Sequence, residues 1–157
     1  NNYGNLCQRV TAFIDKNMNS KIPKNFNFIE DDKKNLVIYR EKYDELINYI
    51  DNQNINLYMN FIQEQLFAAN KYFNDQEPWK KKNNENRLNT IMYTSLELIR
   101  KISIMLYPVI PHTSLKVLKI FEIDENKIEF SSIKSNEILK TDKKINKISL
   151  LFKKIEK

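Results

Sequence analysis

Residues 88–106, LNTIMYTSLELIRKISIML, decide the fold class. Leu88, Ile91, Met92, Ser95, Ile99, Ile102 and Leu106 recur at three- and four-residue steps, the period of one α-helical face. No apolar stripe in the chain is longer, and such a stripe is a core face rather than a cofactor box. Pro108 and Pro111 end it, since proline has no amide hydrogen and its ring collides with the preceding turn.

Upstream, Met59, Ile62, Leu66, Ala69 and Phe73 keep the same steps from Ile55, so a long helix stops before Pro78. Leu6, Val10, Phe13 and Ile14 mark a first amphipathic helix over about residues 2–18. Tyr39, Tyr43, Leu46, Ile47 and Ile50 mark a second, ending near Asp51 and Asn52, and residues 20–36 between them read as polar and irregular. A brief helix over Thr113–Phe121 turns Leu115, Leu118 and Phe121 inward, and the chain beyond is charged and weakly patterned. The expectation is all-α: a bundle of about five helices over residues 1–121, then a weakly structured C-terminal tail over 122–157.

Composition excludes several functions. With one glycine, Gly4, neither a P-loop nor a dinucleotide fingerprint exists. Cys7 stands alone, which rules out an intramolecular disulfide and a cysteine metal cluster and suits a reducing cytosol. No apolar run approaches the ~20 residues of a membrane span, and no signal-peptide shape is present. His112, the single histidine, lies between Pro111 and Thr113 at a helix entry; no catalytic triad or metal-ligand set assembles around it, and it reads as structural. No catalytic residue, metal site or cofactor is expected in this chain. The start lacks an initiator Met, which suggests a piece of a longer protein. A net charge of +6 favours approach to a polyanion such as RNA, although an AT-rich genome gives a similar composition.

Three residue types could read such a partner. Asn5 and Arg9, four apart, stack on one face of the first helix beside its apolar stripe. An amide offers a donor and an acceptor side by side, and a guanidinium offers a fork of donors with a flat face, the tools for reading edges of unpaired bases. Trp79 follows Pro78 in a loop, with Lys80, Lys81 and Lys82 next: an indole to stack on a base and ammonium groups to meet phosphates. Each also has a plain reading, a solvated helix face for the first pair and an end plug of the bundle for Trp79.

The segment Ala69-Asn70-Lys71-Tyr72-Phe73-Asn74-Asp75-Gln76-Glu77-Pro78-Trp79 closely resembles one that methionyl-tRNA synthetases carry between two helices of their anticodon-binding domain. Tyr3-Gly4-Asn5-Leu6-Cys7-Gln8-Arg9 resembles that domain's first helix, and Leu106-Tyr107-Pro108-Val109-Ile110-Pro111-His112-Thr113 its proline-punctuated fourth-helix end. Leu151-Phe152-Lys153-Lys154-Ile155-Glu156 looks like its closing segment, with lysines where proline and arginine are expected. The matches run in the family's order from residue 3 to 156, loosely over 20–54 and 122–144.

The resemblance implies that Trp79 stacks with the first anticodon base, a cytosine, that the main chain around Pro78 helps select it, and that Asn5 and Arg9 contact the next two bases of a CAU anticodon. Lys80, Lys81 and Lys82 are implied only as phosphate-side support. The family's His-Ile-Gly-His-like and Lys-Met-Ser-Lys-Ser-like adenylation signatures are absent. ATP and methionine would therefore bind a catalytic domain of the same polypeptide, on which, or on the bundle, the tail would pack. The expected partners are methionine tRNA and that domain, in the cytoplasm, with no membrane. Two alternatives remain open at this point: the anticodon domain of a sister class I synthetase, argued against by Pro78-Trp79, and a helical protein-interaction module using Trp79 as its anchor.

Overall fold

The computed structural model describes residues 2–149 and 151–152. Helix α5 (Glu85–Leu106) is its axis, and every residue from Leu88 to Leu106 is buried. Around it pack α1 (Asn2–Asn17), α2 (Glu30–Glu41), α4 (Ile55–Gln76) and α6 (Pro111–Lys119), with α3 (Tyr43–Asp51) against α4. The stripe read from the sequence is therefore only part of the buried surface, because α5 is enclosed on all sides. Its polar residues must find partners inside, since an unpaired buried polar group costs about 1–3 kcal/mol.

They find them in the tail. Residues 123–149 form no α-helix; two 3-10 turns, Glu125–Lys127 and Phe130–Lys134, lead an irregular strand of chain back over the bundle. Glu97, Arg100 and Lys101 are fully buried beneath it. The Glu97 carboxylate accepts from the amides of Ile138 and Leu139 at 2.8 and 2.9 Å and from Arg100 Nε at 2.7 Å. Lys101 Nζ donates to the carbonyls of Ile133 and Ser135 and to Asn136 Oδ1 at 2.5–2.8 Å. Burial, with Arg100 beside it, pulls its pKa down to about 7, while Glu97 works the other way. Ile133, Leu139, Ile145 and Ile148 join the same core as the helices. The implied closing motif begins with the half-buried Leu151 and Phe152, and its remaining residues, 153–156, lie outside the described ones.

The second helix departs most from expectation. It starts at Glu30 rather than near Tyr39, and a break at Lys42 divides it into α2 and α3, within the all-α bundle that was expected. The cause is local: Glu30, Asp31 and Asp32 fill the first turn with negative charge, where the helix dipole favours it, and the Asp32 carboxylate accepts from the Ile29 amide at 2.9 Å. Asp32 is also the hub of a buried network, receiving both Arg87 Nη atoms at 2.8 and 3.0 Å and the Tyr72 hydroxyl at 2.5 Å. Arg87 Nη2 reaches on to Gln76 Oε1 at 2.6 Å. One carboxylate thus ties the start of α2 and the start of α5 to the end of α4.

Candidate nucleic-acid interface

At the end of α4 the chain turns abruptly through a left-handed residue. Glu77 adopts a left-handed conformation, φ 46° and ψ 59°, which costs a residue with a Cβ about 1–2 kcal/mol. Pro78 accounts for the end of α4, because its ring disfavours the right-handed helical region at the residue before it. A 3-10 turn over Pro78–Lys80 follows, closed by Lys80 N–H donating to the Glu77 carbonyl at 2.8 Å. Pro78 is buried, while Trp79 is thrown outward with 43% of its surface exposed. The edge of the indole meets Phe73 with ring centroids 6.0 Å apart at 64°.

Phe73 is also the seat of Arg9. The guanidinium lies 4.9 Å from the Phe73 ring centroid, and Arg9 Nη2 donates to Asn74 Oδ1 at 2.6 Å. A cation over a ring and a charged hydrogen bond hold the Arg9 fork in place before any ligand arrives. Asn5 is exposed one turn earlier on α1 and makes no side-chain hydrogen bond among the described residues. Asn70 fastens α4 to α1 by donating to the carbonyls of Leu66 and Asn2 at 2.9 and 3.3 Å.

Arg9 sits on the border of two hollows. A wider one, about 530 Å³, holds Asn5 and Arg9 with Gln8, Asn70 and Asn74, so its lining is mostly amide. The other, about 370 Å³, holds Arg9 and Trp79 with Phe73, Lys16 and Lys82. The structure thus joins Arg9 to both Asn5 and Trp79, whereas Asn5 and Trp79 line different hollows. It also separates the three lysines. Lys82 faces the Trp79 hollow, Lys80 is taken by Glu77 at 2.7 Å, and Lys81 is half-buried outside both. Asn70, Asn74 and Lys16 carried no role in the sequence reading. The signal for the first two was present, since they follow one another by four residues on the α4 face that Arg9 meets.

Other chemistry finds little support here. Burial pushes the Cys7 thiol up to about 12, so it stays protonated at neutral pH. His112 is exposed in the first turn of α6, just after Pro111. Among the described residues no group of His, Cys, Asp or Glu could hold a metal ion, and no helix is long and apolar enough to cross a membrane.

The described residues form an enclosed all-α bundle, and its amide, guanidinium and indole surface carries the chemistry suited to unpaired bases. A family model described as the anticodon binding domain of methionyl tRNA ligase matches residues 22–157, and the chain belongs to that family. Helix α1, with Asn5 and Arg9, precedes the matched stretch. It is included in the similarity to a methionine–tRNA ligase of Thermotoga maritima, 34% identical over 99% of this chain and 25% of that protein. A methionine–tRNA ligase of Brucella suis is 33% identical over 85% of this chain and 26% of its own length. The free-state crystal structure of Mycobacterium tuberculosis methionyl-tRNA synthetase has the same fold, with a TM-score of 0.89 over 100% of this chain and 32% of that one at 24% identity. The chain spans about a quarter of the length of the curated relatives it matches.

Proposed function

We propose that this chain reads the CAU anticodon of methionine tRNA and so gives specificity to methionine–tRNA ligation by a longer enzyme. The supporting observation is the shared position of Arg9, clamped by Asn74 and Phe73 between a hollow rich in amides and one walled by Trp79. Trp79 takes the first base, the cytosine, on its ring, with the main chain around Pro78 completing the contact. Asn5 and Arg9 meet the edges of the next two bases, splayed from the loop as single-stranded RNA is usually read. Discrimination follows because a wrong base, once seated, leaves its edge or a protein amide unpaired. ATP and methionine bind elsewhere in the enzyme, which works in the cytoplasm, and the chain's own residues supply no cofactor site.

The test is a titration with RNA hairpins carrying CAU or single-base variants in the loop, followed by Trp79 fluorescence and, because Trp79→Ala removes the single tryptophan, by the anisotropy of a labelled hairpin for every variant. Quenching that prefers CAU is expected. Trp79→Ala should weaken binding by about 5- to 150-fold, the cost of about 1–3 kcal/mol per stacked base, with smaller losses for Asn5→Ala and Arg9→Ala. Equal affinity for every hairpin, with all three variants silent and the fold intact by circular dichroism, defeats the reading.

A further inference from the structure

Phe67 is the most exposed large apolar side chain among the described residues, with 66% of its surface open, and no other ring touches it. It stands one residue beyond Leu66, off the buried stripe of α4, so the core does not require it. It lines the hollow of Asn5, Arg9 and Asn70. An aromatic face left in water beside the exposed Asn5 amide, which makes no side-chain hydrogen bond among the described residues, has the composition of a base-binding site, ring for the face and amide for the edge. We propose that Phe67 is a second stacking platform and takes the last base of the triplet, a reading that rests on the proposed function and extends it.

Arg9 lines the hollow of Phe67 and also that of Trp79, so one guanidinium lies between the two rings, placed for the middle base of a triplet whose end bases stack on them.

The test compares Phe67→Ala, Phe67→Leu and Phe67→Tyr in this chain against a CAU hairpin and a hairpin lacking the last base of the triplet. The proposal expects Phe67→Ala and Phe67→Leu to bind the CAU hairpin about 5- to 100-fold more weakly, and Phe67→Tyr, which keeps the ring, to bind normally. Against the hairpin without the last base, the wild type and Phe67→Ala should bind alike, while Trp79→Ala still weakens binding. If Phe67→Ala is silent while Trp79→Ala is not, the second platform is lost and anticodon reading stands. If Phe67→Ala weakens both hairpins equally, stacking on the last base is refuted. If Trp79→Ala is silent too and CAU is not preferred, the proposed function has failed and this one with it. Phe67 is exposed, so its replacement leaves the core intact, and circular dichroism of each variant checks this.

Discussion

At the scale of single residues, Asp32 has the clearest consequence. Burial raises its pKa, but hydrogen bonds from Arg87, Tyr72 and the Ile29 amide outweigh it and leave the carboxyl below its ordinary value. The unfolded chain, with its aspartate near 3.9, then binds more protons than the folded one in the interval below that value. Stability from this network is fully present above about pH 4–5 and is lost as pH falls through the depressed folded value. Urea unfolding at pH 7 and pH 3 should show this, and Asp32→Asn should shrink the difference; an unchanged difference assigns the acid sensitivity to another group. Arg87→Ala at pH 7 should cost about 3–5 kcal/mol, since it leaves a buried carboxylate unpaired. None of this was legible in the sequence, because Asp32 and Arg87 stand 55 positions apart and only the fold makes them partners. Trp79, Asn5 and Arg9 were legible as side chains suited to bases. What they lacked was position: the sequence treated Asn5 and Trp79 as one group, and only the clamp on Arg9 shows two hollows meeting.

At the scale of elements, the long helices were readable because their apolar periodicity is local. The observed α4 and α5, Ile55–Gln76 and Glu85–Leu106, enclose the predicted stripes with their punctuating prolines just outside. The start of α2 escaped because its signal is charge in the first turn rather than periodicity. The course of the tail escaped for a different reason. Its backbone is held by Glu97, Arg100 and Lys101, which fall between the apolar positions of the longest stripe and carry no local signal of burial. The turn after α4 offers an element-level prediction. Pro78→Ala removes the steric bar to a right-handed Glu77, so α4 can run on and carry Trp79 away from Phe73. The fold should survive, since the ends of α4 and α5 stay joined through Asp32, whereas CAU affinity should fall toward that of Trp79→Ala. Native stability with unchanged RNA binding and unchanged Trp79 fluorescence contradicts this account of the turn.

Over the whole molecule the question is whether charge acts by its sum or by its place. A net charge of +6 steers any RNA toward the chain, but only cations that replace counterions on particular phosphates set the salt dependence of binding. With Arg9 given to a base edge, Lys16 and Lys82 are the phosphate-side cations of the Trp79 hollow, and two contacts to a single-stranded loop give a slope of about −1.4 for log affinity against log salt, at about 0.7 per contact. Lys82→Ala should therefore reduce the slope by about 0.7. Lys80→Ala should hardly move it, because Glu77 already neutralises that ammonium. Lys119→Ala, at the end of α6 and in neither hollow, removes the same unit of net charge and should leave the slope as it was. Titrations of one CAU hairpin across salt concentrations with these three variants decide the matter. If all three lower the slope alike, net charge governs and Lys82 has no particular place in the interface; if only Lys82→Ala does, the phosphate path runs past Trp79.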